Sequence, residues 1–191
     1  MNHKFQRVLD AFDDKRLVQR DQTNFLINPL TEQIPATSAQ LLQDSTDWLV
    51  EVGDFEAANK IVGEEDKGAI LVASTSLKTG LPFGMARWYP SGLAGQVPVA
   101  FEMEYASGNL YLNGVSEGDQ VIIVDDMIST GGTLLALIKA IHSVPAEIVD
   151  IICVAEKVDY SGVRRVMDET GLHVKTLLRV TVAGKRSRIV D

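Results

Sequence analysis

The order of apolar and polar segments predicts an α/β fold: a doubly wound, mainly parallel sheet with a smaller piece beside it. Two observations predict it. Short, wholly apolar runs such as Val121-Ile122-Ile123-Val124 and Ile148–Ala155 read as strands buried on both faces. From about residue 58 they alternate with stretches of helical periodicity, the pattern of βαβ units with helices on either side of one sheet. The elements follow in order. Phe5, Val8, Leu9 and Phe12 at helical spacing predict an amphipathic helix over residues 4–17. Residues 19–37 read as irregular, broken at Asn28-Pro29 and Ile34-Pro35. A helix covers Ser38 to Val52 and ends near Gly53. Lys60–Gly63 is a short apolar piece, Ala69–Thr79 a helix closed by Gly80, and Leu81–Trp88 a strand. Val97–Tyr105 and Leu110–Asn113 read as strands joined at Ser107-Gly108-Asn109, a good hairpin turn. After the strand Val121–Val124 come a turn with Gly131-Gly132 and a helix over Thr133–Ser143. Ile148–Ala155 is the next strand, Ser161–Thr170 a helix closed by Gly171, and His173–Val182 the last major strand. The run Lys185-Arg186-Ser187-Arg188 reads as a solvated turn, and residues 90–115 join the N-terminal segment as the smaller piece.

Composition bounds the function. The 191 residues fit a single domain, 1–191, and suffice for a real core. With 18 basic and 26 acidic residues the net charge is −8, which argues against a protein that coats nucleic acid. No apolar run reaches the roughly 20 residues of a membrane span, and the first residues lack the apolar stretch of a secretory signal. Cys153 is the only cysteine, so no internal disulfide forms, and it reads as core. His3, His142 and His173 are too scattered for a metal site. These features together suggest a cytoplasmic protein.

The informative stretch is VIIVDDMISTGGT, Val121 to Thr133. In an open α/β sheet ligands bind beyond the carboxyl ends of the strands, where Asp125 and Asp126 are expected. Two adjacent carboxylates repel, so something must compensate: ribose hydroxyls or a magnesium ion would do so. Ser129-Thr130-Gly131-Gly132-Thr133 then opens a helix. Backbone N–H groups at a helix start, with glycines permitting close approach and hydroxyls beside them, cradle a phosphate. A diol site a few residues from a phosphate cradle describes a receptor for ribose 5-phosphate. Neither G-x-x-x-x-G-K-[ST] nor G-x-G-x-x-G is present there.

This stretch resembles the PRPP-binding signature of the type I phosphoribosyltransferases, and the resemblance extends over most of the chain. Val62 to Gly68 takes the place of the family's pyrophosphate loop, and Arg87 falls where relatives carry a pyrophosphate-binding arginine. FEMEY, Phe101 to Tyr105, resembles the flexible-loop segment of adenine phosphoribosyltransferases. LPFGMARWYP, EYASGNLYLNG and VAEKVDYSG together look most like archaeal-type hypoxanthine/guanine enzymes, and Val154 to Gly162 and FLINPL also resemble bacterial xanthine enzymes.

The resemblance implies transfer of the ribose 5-phosphate of PRPP to a purine base with Mg²⁺, giving a nucleoside monophosphate and pyrophosphate in purine salvage. It also implies a small hood subdomain contributed by residues 1–57 or so, a flexible hairpin loop and a homodimer. Asp125 and Asp126 would hold the ribose hydroxyls, and metal carried by PRPP could also meet them. Met127, Ile128, Ser129, Thr130, Gly131, Gly132 and Thr133 complete the ribose 5-phosphate site. Glu65, Asp66, Lys67 and Gly68, with Arg87, would hold pyrophosphate. Glu104 would steady developing charge or manage a base proton, and Tyr105 could cover the site. Lys157 would donate to a 6-oxo group, because an ammonium donates and never accepts; Phe25 would stack on the base and Ser129 would lie beside it. Ser129 replaces the aspartate that many hypoxanthine/guanine enzymes carry, and Trp88-Tyr89-Pro90-Ser91-Gly92 lacks the basic residues of many family loops. Hypoxanthine and guanine are thus favoured over adenine, with a PRPP-binding regulator that does no chemistry as a third reading.

Overall fold

The computed structural model describes residues 5–20, 23–103 and 106–191. In chain order the elements are α1 (Gln6–Phe12), β1 (Leu17–Arg20), β2 (Thr23–Leu26), α2 (Ala39–Val52), β3 (Lys60–Glu64), α3 (Ala69–Thr79), β4 (Phe83–Arg87), β5 (Val97–Met103), β6 (Ala106–Asn113), β7 (Gln120–Ile128), α4 (Gly132–His142), β8 (Glu147–Lys157), α5 (Gly162–Thr170), β9 (Lys175–Thr181) and β10 (Arg188–Val190). A 3₁₀ turn, Val158–Tyr160, links β8 to α5. Eight strands form one sheet in the order β10-β9-β8-β7-β3-β4-β6-β5. The five from β9 to β4 run parallel, and β10, β6 and β5 pair antiparallel at the edges. The predicted doubly wound, mainly parallel sheet is what forms.

Alternation along β7 shows why its run is wholly apolar. Ile122 and Val124 pack on one face with Phe12, Leu49, Leu71 and Val72, from α1, α2 and α3. Val121 and Ile123 pack on the other with Leu134, Leu137, Ile141 and Val166, from α4 and α5. A strand covered on both sides has no solvent face to make polar. The chain leaves β3 through α3 to β4 on one side and, from β7 through α4, builds β8 and β9 on the other. The winding therefore reverses between β3 and β7, and that reversal opens the crevice where ligands bind in such sheets.

Several elements differ from the sequence expectation. The first helix stops at Phe12 and not at residue 17, because Asp13 is extended and Asp14 has φ +52°. The C-terminal tail supplies the backbone partners that another helical turn would have made. Asp14 N–H donates to Ser187 O and Ser187 N–H to Lys15 O, both at 2.9 Å, and Ser187 Oγ–H donates to Phe12 O at 2.6 Å. Ser187 is accordingly buried and not in a solvated turn. The stretch 19–37, expected to be irregular, supplies strand residues: β1 pairs antiparallel with β2, with Val18 opposite Phe25. Ser107, Gly108 and Asn109 lie inside β6, opposite Glu102, Phe101 and Ala100, and so do not form the expected turn. This hairpin pairs through β6 with β4, extending the main sheet and forming no separate piece. Finally β7 continues to Ile128, because β8 offers a ladder as far as Glu156; Asp125 is a strand residue opposite Cys153.

Candidate active site

The parallel strands end along one edge. Four of those ends, with the hairpin β1–β2 and the turn after it, enclose a cleft of about 380 Å³. Its lining includes Phe25, Leu26 and Glu32 from the N-terminal segment, and Glu64, Asp66 and Lys67 from the end of β3. Trp88 follows β4, Asp125, Asp126, Met127, Ser129, Thr130 and Thr133 come from β7 and α4, and Lys157 ends β8. An adjoining chamber of about 190 Å³ is lined by Asp125, Met127, Ser129 and the Ile128–Leu134 turn, with Cys153 behind it.

The end of the cleft at the start of α4 is built locally. Gly131 stands at the N-cap of α4 with φ +80°, a conformation that costs glycine little. No side chain caps this helix, which leaves the N–H groups of its first turn for an anion. The loop is held from behind by α5. A Cβ on Gly162 would lie 2.1 Å from Ser129 O, so only glycine lets the start of α5 pack this closely. Arg165 Nη1–H also donates to Thr130 O at 3.3 Å. Sequence reading passed over Gly162 and Arg165; the signal for the first was a glycine opening a helix after Tyr160-Ser161.

The middle of the cleft is acidic. Asp126 is buried, and its Oδ2 has no hydrogen-bond partner among the described residues; the same holds for Ser129 Oγ. Asp125 Oδ1 accepts from Asp126 N–H at 2.9 Å. Burial, reinforced by the neighbouring Asp126 charge, pushes the Asp125 carboxyl well above the usual carboxylate range. Burial raises Asp126 to about 6, against the opposing pull of the Lys67 ammonium. Burial also raises Glu64, although Asp66 N–H (2.9 Å) and Trp88 Nε1–H donate to its Oε1. Such a pair is completed by hydroxyl donors or a cation. The described residues hold no group of three or more His, Cys, Asp or Glu arranged to hold a metal. The carboxylates do fit Mg²⁺, which keeps several waters and is bound through one or two carboxylates plus substrate phosphates.

At the other end Lys67 and Lys157 approach one ring. Their Nζ atoms lie 5.6 and 5.7 Å from the centre of Phe25. Lys157 is buried, donates to Asn24 O at 3.1 Å and sits 5.9 Å from the Tyr160 ring. Burial, with the Lys67 charge, lowers it to about 8; Asp126 and Glu32 act against that fall. Lys67 Nζ pairs with Glu32 Oε1 at 2.5 Å. Burial alone would lower Lys67, but the Glu32 hydrogen bond and charge outweigh it and the ammonium is held above its usual range. Glu32 is a cleft residue that sequence reading missed, since it sits in a stretch without periodicity.

Of the residues singled out from the sequence, the cleft and its chamber bring together Phe25, Asp66, Lys67, Asp125 to Thr133, and Lys157. Gly68 is the N-cap of α3. Glu65 and Arg87 do not line the cleft: Glu65 accepts from Trp88 N–H at 3.0 Å, and the half-exposed Arg87 guanidinium lies 3.6 Å from it. Trp88 lines the space instead and packs on Leu110 and Ala136. Glu104 and Tyr105 lie outside the described residues.

A switch-point crevice with an uncapped helix start beside a buried carboxylate pair is the arrangement this chain shares with a known family. Residues 38–175 match the family described as "Phosphoribosyl transferase domain", and the chain belongs to that family. It is 42% identical over 166 residues to the hypoxanthine/guanine phosphoribosyltransferase of Methanocaldococcus vulcanius, covering 87% of this chain and 90% of that one. The enzyme of the same name from Methanothermococcus okinawensis is 40% identical over 173 residues, 91% of this chain and 93% of that one. Among solved structures, the adenine phosphoribosyltransferase of Thermoanaerobacter pseudethanolicus shares the fold with a TM-score of 0.78 at 21% identity, covering 92% of this chain and 99% of that one.

Proposed function

We propose that this protein transfers the ribose 5-phosphate group of PRPP to hypoxanthine or guanine, forming the nucleoside monophosphate and pyrophosphate. The observation that carries the choice of base is Lys157: a buried ammonium against Phe25 at the end of the cleft. It offers donors only, which suit the O6 acceptor of a 6-oxopurine and not the amino group of adenine. The names of the relatives described above agree with this assignment.

The 5′-phosphate sits on the α4 N-terminus, with Thr130 and Thr133 beside it. Asp125 and Asp126 accept from the ribose hydroxyls, which relieves their mutual repulsion. Lys67 and the backbone of the turn after β3 take the pyrophosphate. The C1′–oxygen bond breaks with its electron pair leaving on pyrophosphate, the purine nitrogen bonds to C1′, and the base loses a proton. The carbon between these events is positive, and the buried carboxylates face it. Positioning and electrostatics supply the rate, with no covalent nucleophile. Mg²⁺ bound with PRPP would neutralise its phosphates, with Asp125 and Asp126 as the available protein oxygens. A cytoplasmic homodimer belongs to the same proposal.

The test is nucleotide formation from PRPP and Mg²⁺ with hypoxanthine, guanine, xanthine and adenine in parallel, for wild type and Lys157→Ala. Product from a 6-oxopurine, reduced about 10- to 100-fold in the variant, is the expected result. Product from adenine alone would reverse the choice of base. PRPP binding without product from any base would make the protein a regulator.

A further inference from the structure

We infer that Glu32 reads the N1–H and 2-amino edge of the base, which makes guanine the preferred substrate of this cleft. This rests on the 6-oxopurine reading and deepens it. A flat base laid on Phe25 presents its polar edge to the groups around that ring. Lys157 supplies the donor for O6. The next atom around a 6-oxopurine is N1–H, and guanine adds a 2-amino group; both are donors and need an acceptor.

Glu32 supplies one. It lines the cleft together with Phe25 and Lys157, and with Phe25 and Lys67 it also lines a side chamber of about 200 Å³. Its position is fixed from two directions. Its backbone N–H donates to Asn28 O at 3.1 Å, in a turn whose residues Asn28, Leu30 and Thr31 are buried. Its carboxylate is held by Lys67, which engages Oε1 at 2.5 Å, while Oε2 accepts from no described residue. Asn24 O, a neighbouring acceptor, is already taken by Lys157. A carboxylate beside an ammonium is complementary to O6, N1–H and the 2-amino group in turn. Xanthine would turn O2 toward the carboxylate, and adenine would turn the N1 lone pair toward it; both are repelled. Hypoxanthine keeps N1–H and loses one contact.

The experiment measures kcat/KM for guanine, hypoxanthine and xanthine at saturating PRPP, and KM for PRPP, in wild type and Glu32→Gln. Guanine should fall about 10- to 100-fold, hypoxanthine less, and xanthine not at all, so that the guanine-to-xanthine ratio collapses. An equal fall for all three bases, or a change confined to the KM for PRPP, would make Glu32 merely the counter-ion of Lys67 and overturn the inference. The wild-type protein gives a second measure that needs no variant. 1-Deazaguanine, isosteric but without N1–H, should react at least about tenfold more slowly than guanine; equal rates would overturn the inference. Wild type that makes no nucleotide from any 6-oxopurine would remove the 6-oxopurine reading itself, and the inference with it.

Discussion

The two ends of the cleft are built in opposite ways. The end proposed to take the phosphate is one continuous segment, Asp125 to Thr133, running from β7 into α4. The end proposed to take the base is assembled from Phe25 and Glu32 of the N-terminal segment and from Lys157, with Lys67 paired to Glu32: three separate pieces of chain. The first end makes its positive field from backbone N–H groups at a helix start. The second uses ammonium groups partly neutralised by Glu32 and crowded against an aromatic ring. A phosphate needs the same cradle in every such protein and is served by local geometry. A base edge has to be matched atom by atom, and the matching groups come from wherever the fold can bring them.

The largest effect expected comes from breaking the support of the local end. Gly162→Val places carbon where Ser129 O already lies, so the phosphate loop must move. A loss of about 3 kcal/mol of stability and of measurable PRPP binding is expected, by thermal unfolding and calorimetry. A variant with normal PRPP affinity would show that the loop does not depend on α5.

Asp126→Asn sharpens the comparison, because it separates function from stability. Activity should fall about 100-fold, as for loss of one preorganised charge contact. The unliganded fold should respond in the other direction. Asp126 has a raised folded-state pKa of about 6, so its contribution to stability is fully present below about pH 4 and is lost as pH rises through 6. The asparagine variant should therefore be the more stable by about 2 kcal/mol at pH 8, with the difference vanishing near pH 4. Equal stability across that range would mean the carboxylate is compensated in the free protein.

The smallest effect concerns the base end. The Lys157 ammonium, with a pKa of about 8, loses its charge within the working range. Selectivity for hypoxanthine over adenine should decline several-fold between pH 7 and pH 9, and this slope should be absent in Lys157→Met. A flat profile in wild type would place the O6 contact elsewhere.

Much of this protein is decided by the sequence alone. The helix Ala69–Thr79 and its glycine stop lie where the pattern places them, and the β7–α4 site is written in thirteen consecutive residues. Local pattern suffices there because strand periodicity, helix capping and a phosphate cradle are each satisfied within a few residues of one another. The tertiary structure decided the rest. Leu17 leaves the expected helix because Ser187, 170 positions later, takes up the backbone partners. The switch point between β3 and β7 depends on which strands become neighbours. The pairing of Glu32 with Lys67 across Phe25 joins segments 35 positions apart. Nothing in a residue's own neighbourhood encodes such a contact. It exists because burying both faces of one sheet draws the N-terminal hairpin over the ends of β3, β7 and β8, where the charges must find each other or stay unpaired.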